Sequence, residues 1–518
     1  MHLKSFCLYV ILLVSHQVLS QNKGLHLLGH LTFDEELSDV WGYTDSAGNE
    51  YALVGRHNGV SIVDVTDPTQ PTVVYEVPGY GTKWRDLKIW KDHLYVTAES
   101  SPGLLIVDLS NLPSSSLTYQ YWVHDSITFY RAHNLYIDEK GFAYIFGSDY
   151  GFGGAVILDL NPDPKNPVPV GVFDENYLHD GFARNDTLYG AAIYAGEVQV
   201  IDVSDPASPE LVTSWKTPGS FTHNIWLSED SKYLFATDEV KNGSISAFHI
   251  ENVQNPGELY RWRRNDTSLI PHNTHCLDGF LITSHYTIGV NIIDASRPHN
   301  LIETGAYDTS PQYHYEGFHG CWGAYPYLPS GKLLATDIEE GLYIFDPGYR
   351  RAAYLEGTVR DQHTGALIIK PLISIIELGL EVKGTLTGNY ATGADTSGVF
   401  TVVVSAEGYR SDTIDNVWME RGVVHWLHVE LSNWPLGIQY PEKDSDSGVE
   451  LLVVNGRQTA VGVKQDDIIE IHDLTGRLLY HGKPTNSHAV HFNNGLQYGI
   501  YFVRINRGGN IYPFKIGL

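Results

Sequence analysis

Residues 196–212, GEVQVIDVSDPASPELV, return in near-copy at 59–74 (GVSIVDVTDPTQPTVV), 154–170 (GAVILDLNPDPKNPVPV) and 289–303 (GVNIIDASRPHNLIE). Each copy follows one physical grammar. A glycine opens it, a β-branched run such as VQVID makes a strand, and a turn such as Asp-Pro sends the chain back into a second strand. Looser copies open at Gly103, Gly243 and Gly341, so the phrase starts at 59, 103, 154, 196, 243, 289 and 341. The spacings are 44, 51, 42, 47, 46 and 52 residues. Two more strands fit between successive phrases, as in WRDLKIW and HLYVTAE. Four strands recurring about every 40 to 50 residues are the pattern of a β-propeller blade. Seven periods therefore predict an all-β chain built on a seven-bladed β-propeller. A solenoid would use shorter repeats and capping ends.

Closure provides an internal test. The last phrase, GLYIFDPGYRR, is followed by no convincing outer strand, whereas GLHLLGHLTF (Gly24 to Phe33) reads as an outer strand with no blade of its own. The expectation is that residues 24–33 complete the seventh blade of a propeller spanning 24–350, which removes an open sheet edge. The Ile-Val-Asp or Val-Ile-Asp phrase with its Asp-Pro turn resembles the LVIVD repeat. Residues 24–350 are similar as a whole to the propeller of the choice-of-anchor B family of secreted bacterial proteins. That resemblance implies a fold and an extracellular location and brings no catalytic activity with it.

Past Arg351 the repeat stops. Gly357, Val359, Asp361 and Gly365, then Gly398, Phe400, Gly408 and Tyr409, resemble the turn and strand signature of the carboxypeptidase-regulatory-like β-sandwich. This module is expected over 353–432, followed by a polar linker at 433–448. The stretches DLTGRLLY and GLQYGIYFVRI in 449–518 resemble the C-terminal sorting domain of type IX secretion. Two small β-sandwich domains are thus expected behind the ring. The resemblance implies the secretion machinery as a partner of the tail and delivery through the periplasm to the outer surface or medium.

The other end agrees with export. Lys4, the short apolar run FCLYVILLV and Val18-Leu19-Ser20 have the layout of a signal peptide over residues 1–20, too short for a lasting anchor. No later stretch is long and apolar enough for a transmembrane helix. Beyond Cys7, the chain has only Cys276 and Cys321. They are expected as small buried residues, with a bridge between neighbouring repeats as the alternative. The formal net charge of -27 argues against a nucleic-acid partner and against an anionic membrane surface.

Chemistry is sought where the blades open. Their first strands begin SDVWGY, RDLKIW, AHNLYI, LHDGFA, THNIWL, THCLDG and FHGCWG. One slot then holds Asp39, Asp86, His133, His179, His223, His275 and His319, expected to ring one end of the channel. The second strand runs antiparallel, so its end shares that mouth. There stand His57, Glu99, Asp149, Asp238, Glu239, His285 and Asp337, with Arg56, Tyr194 and Glu340 near them. Imidazoles and carboxylates converging from several blades suit a divalent transition metal, whose bound water can attack an ester or phosphate. Glu99, Asp238, Glu239 and His285 are then the candidate acids and bases. The same residues also fit an architectural role, since a wet channel mouth keeps polar side chains and repeats echo one another by descent. Two readings follow: a surface module that binds a ligand or protein through the mouth, and a metal-dependent hydrolase using the same ring. Trp41, Trp84, Trp226 and Trp322 read as packing between blades. The phrase-ending Asp64, Asp108, Asp159, Asp202, Asp294 and Asp346 read as turn residues. The sequence contains no Gly-x-Ser-x-Gly elbow, phosphate loop or dinucleotide fingerprint.

Overall fold

A computed structural model describes residues 22–264, 268–313, 317–433, 450–454, 457–473, 476–484, 489–491 and 500–517. The expected signal peptide lies outside the described residues, as do all but the first residue of the expected linker. The described chain is all-β, with helical geometry confined to two three-residue 3-10 turns, Pro311–Tyr313 and Ile376–Leu378. None of its helices is long and apolar enough to cross a membrane.

Seven four-stranded antiparallel sheets follow one another along the first part of the chain, and six of them take their strands in sequence order. These six occupy residues 37–78, 85–122, 134–173, 180–216, 222–262 and 274–307. The seventh runs Cys321–Tyr325, Leu333–Asp337 and Gly341–Asp346, and its fourth strand is His26–Leu31, paired antiparallel with Gly341–Asp346. The first strand of each sheet packs on the first strand of the next, and Cys321–Tyr325 packs on Leu37–Thr44.

The repeated phrase explains the local structure. Its strand is the third of each sheet and is buried almost throughout, as in Gly59–Asp64 and Glu197–Asp202. The fourth strand lies at the rim and is mostly exposed, as in Glu210–Lys216. At the end of the third strand, the Asp64 carboxylate accepts from the Thr66 N–H at 2.9 Å. Asp108, Asp159, Asp202, Asp294 and Asp346 cap their turns in the same way at 2.8–3.0 Å. The opening glycine is needed where the fourth strand ends against it. Gly103 has φ +65°, and a Cβ there would lie 1.8 Å from the Trp122 carbonyl.

Two further sheets, formed by strands within Ala353–Leu431, enclose a core that includes Leu355, Val359, Ile373, Phe400 and Val404. Glu356 ties this segment to the sixth sheet through Arg297, at 2.6 and 2.7 Å, and Asn300, at 3.1 Å. The strands between Glu450 and Gly517 form a three-stranded and a four-stranded sheet, with Ile469, Ile471, Val503 and Ile505 buried. Cys276 and Cys321 are both free and buried.

Candidate functional site

Every first strand enters its sheet at the same end of the ring, and ladder register fixes which residues are equivalent. Asp86 pairs with Thr97, Asn134 with Phe146, Asp180 with Ala191 and Asn224 with Thr237. The residues just before them are Arg85, His133, His179 and His223. In the sixth sheet, Ser284 donates its N–H to the Asn273 carbonyl at 2.9 Å, which makes His272 the counterpart there. Side chains of the preceding sheet hold two of these positions: the Thr97 hydroxyl donates to the His133 carbonyl at 3.3 Å and that of Thr237 to the His272 carbonyl at 2.5 Å.

Four imidazoles therefore follow one another around the axis. Ring centroids are 3.9 Å apart for His133 and His179, 4.2 Å for His179 and His223, and 4.6 Å for His223 and His272. Trp322 continues the series 4.7 Å from His272. Arg85 occupies the same position in the second sheet, but its guanidinium donates to carbonyls of Arg56, His57 and Tyr80.

Outer groups fix several of these rings. His133 Nδ1 lies 2.7 Å from Glu99 Oε1, and this bond holds the Glu99 carboxyl below its usual range. His272 Nδ1 donates to the Trp322 carbonyl at 2.6 Å. Each of these bonds fixes a tautomer that leaves Nε2 with a free lone pair. His179 and His223 keep a buried Nδ1 without a partner among the described residues.

Burial is the main cause that pushes His272 down to about 3 and sets His179 and His223 well below the usual imidazole range; neighbouring imidazoles add to the depression. Burial also raises Glu239 to about 7. Its Oε2 lies 3.5 Å from His223 Nε2, and its Oε1 accepts from the Tyr286 hydroxyl at 2.5 Å. Burial thus favours the uncharged form of both the His223 imidazole and the Glu239 carboxyl, which weakens their contact as an ion pair.

Below the imidazoles lie Asp39, Asp86 and Asp180, all buried, around one ammonium. Lys88 pairs with Asp86 and stands 3.8 Å from Asp39. Burial raises all three carboxyls, Asp180 to about 6. Deeper still, aromatic rings meet across the axis. Trp41 of the first sheet reaches His275 of the sixth at 6.1 Å, and Tyr136 of the third reaches Trp226 of the fifth at 5.9 Å. Those sheets are not neighbours, so aromatic side chains fill the channel at this level.

Of the seven slot residues expected at the mouth, the structure brings His133, His179 and His223 together. Asp39 and Asp86 sit one residue deeper, beside Lys88. His275 is deeper again, 4.4 Å from Trp226 in the aromatic layer. His319 lies on a loop, half-exposed, stacked on Tyr313 at 4.2 Å and 2.7 Å from Glu339. Among the candidate acids and bases, Glu99 and Glu239 reach the imidazoles. Asp238 instead clamps a loop, accepting from Gly219 N at 2.8 Å and Phe221 N at 3.0 Å. His285 is buried against Trp262, and burial takes it down to about 3. Two of the four tryptophans, Trp84 and Trp322, line the mouth rather than only packing between sheets.

Sequence reasoning missed His272, Asp180, Lys88 and Tyr286. A signal for His272 was available in the dipeptides His133-Asn134, His179-Asp180, His223-Asn224 and His272-Asn273. Three bulges hide that regularity, at Ser38–Asp39, His223 and Trp322, each displacing a first strand against its partner.

Comparison with known proteins addresses the scaffold. The LVIVD repeat model matches residues 46–78, 81–122 and 192–217. No curated protein matches the chain. One similar solved structure is the crystal structure of the Cps50 (Swd1) β-propeller domain of Myceliophteria thermophila. It is 11% identical, with 62% of this chain and 99% of that chain covered and a TM-score of 0.45.

Proposed function

On a β-propeller scaffold carrying LVIVD repeats, we propose that the protein is an exported binding module that takes its ligand at the histidine-lined mouth. In this reading the seven sheets are seven blades of one closed ring over 24–350. The ring is followed by a carboxypeptidase-regulatory-like sandwich at 353–432 and a type IX sorting domain at 449–518. A signal peptide at 1–20 starts export, and the ring is displayed at the outer surface or released to the medium.

The observation that carries the reading is a pocket lined by imidazoles, Trp84 and Trp322 over a polar floor. Loops beside the imidazoles expose Phe152 (74%) and Tyr194 (78%), together with Trp84 and Tyr130. Such rings offer contact area at small entropic cost. The buried donors and acceptors beneath them give direction to whatever enters. The comparisons lend the hydrolase alternative no support.

The test uses the full chain and follows tryptophan emission, to which Trp84 and Trp322 contribute from the mouth, during titration with polysaccharide and peptide fractions of the cell surface. Binding that is lost at least tenfold in the paired variant Phe152→Ala/Tyr194→Ala supports the reading. Binding indifferent to that pair, or none to either fraction, sinks it. Export is checked by N-terminal sequencing of the surface or medium form, expected to begin at Gln21.

A further inference from the structure

We propose that the mouth is a metal centre in which His133, His179 and His223 hold one divalent first-row transition ion, zinc in class, with a position left open for an anionic group of the ligand. The proposal deepens the mouth-binding reading and rests on it only for the ligand's approach.

Geometry comes first. The three ligand nitrogens lie within 4.8 Å of one another and arrive from three consecutive sheets. An ion with Zn–N bonds of about 2.0–2.1 Å needs tetrahedral nitrogens roughly 3.3 Å apart, a gap that small side-chain rotations close. His223 lies in a strand, and His133 and His179, just before theirs, donate their N–H groups to the Phe146 and Ala191 carbonyls at 3.0 and 2.8 Å, so the donors are largely pre-arranged before any ion arrives.

The state of the donors comes second. His223 is 2% exposed, and the rings of His179 and His223 are each set against the backbone of the next sheet, at His223 and His272. His133 is already steered, because Glu99 takes its Nδ1–H and leaves Nε2 free. A carboxylate behind a ligating imidazole orients the ring and raises its basicity.

A second set, His223, Glu239 and His272, also lies within 4.8 Å and shares His223. Its carboxyl is already bonded by the Tyr286 hydroxyl at 2.5 Å, so it is the poorer ligand set. Glu239 instead stays beside His223, at 3.5 Å, held by Tyr286.

The full chain, untagged and stripped with a chelator, is titrated with Zn²⁺ by calorimetry and with Co²⁺ by visible absorption. The expected result is one equivalent of each ion, with the intense absorption of tetrahedral Co²⁺. His179→Ala/His223→Ala lowers affinity at least a hundredfold, and Glu99→Gln lowers it about 10–100-fold. His133→Gln, a milder change that keeps the side chain polar, also lowers it strongly. His272→Ala, Glu239→Gln, His275→Ala and His319→Ala keep one equivalent. Circular dichroism selects the variants that fold.

No uptake by the wild type overturns the proposal. So does uptake unaffected by folded His133→Gln, or uptake lost in His272→Ala but kept in His133→Gln. If no metal binds while Phe152→Ala/Tyr194→Ala still loses the surface ligand, the metal centre fails and mouth binding stands. Metal bound as expected with an indifferent aromatic pair does the reverse.

Discussion

His133 and Glu99 stand 34 residues apart in the chain and meet at 2.7 Å, the imidazole from just before the first strand of the third sheet and the carboxylate from just beyond the second strand of the second. The contact bridges two neighbouring sheets and sets the tautomer of the first imidazole in the series.

Glu99→Gln should therefore weaken the fold as well as the mouth. The hydrogen bond from His133 depresses the Glu99 carboxyl below 4.5, so its contribution is complete above that value and fades as the pH falls through the depressed one. Urea unfolding at pH 7 should show a loss of about 1 kcal/mol. The difference from wild type should shrink toward pH 3; a pH-independent difference would contradict the assignment.

His275 offers a pH signature away from the cluster. Burial lowers it from 6.5 to about 3. Between those values the unfolded chain takes a proton that the folded one refuses, so its contribution is full above 6.5 and drains as pH falls, by up to about 1.4 kcal/mol per pH unit. Buried acids such as Glu239 and Asp180 act with the opposite sign, so the effect is read as a difference. The stability of wild type minus His275→Gln should decrease from pH 7 to pH 5. A flat difference would mean that the ring takes its proton in the fold.

Lys88→Met should be severe. It leaves Asp39 and Asp86 buried without their cation, at a cost of about 3–5 kcal/mol. Lys88→Met/Asp86→Asn should recover a good part of the loss in denaturant unfolding. Additive losses would show that the ammonium acts by packing on Trp41, whose ring it approaches at 4.3 Å.

The N-terminal strand should act as a latch. A Cβ on Gly29 would sit 1.7 Å from the Pro68 carbonyl, a backbone atom that cannot yield cheaply. Gly29→Val should lower stability by about 1–3 kcal/mol. Deleting residues 22–33 should bare the edge of Gly341–Asp346 and produce self-association on size-exclusion chromatography. A monomeric, cooperatively unfolding deletion would refute the latch.

Glu356→Ala should separate two units that now touch. The carboxylate is nearly sealed and accepts from Arg297 and Asn300, so its loss costs about 3 kcal/mol. Calorimetry should resolve two transitions in the variant where the wild type shows fewer.

The repeated phrase was legible because its physics is local. An Asp two residues before the N–H it caps, a glycine where the next strand ends, and β-branched runs between them specify a four-stranded sheet in any copy, and LVIVD repeats and a β-propeller were readable on that ground alone. The site was legible only in part. His133, His179 and His223 announce themselves as a recurring slot, yet the same rule selected His275 and passed over His272. The first strand of the sixth sheet pairs without a register shift and His272 stands just before it, so counting along the chain placed the slot three residues too deep there. Lys88 was equally invisible, since nothing local says that its ammonium ends among carboxylates from other strands. Composition and spacing thus determined that sheets would form and repeat. Which imidazoles share a mouth, and which carboxyls lie beneath them, depended on strands some forty residues apart being brought into register, and only the closed tertiary packing decides that.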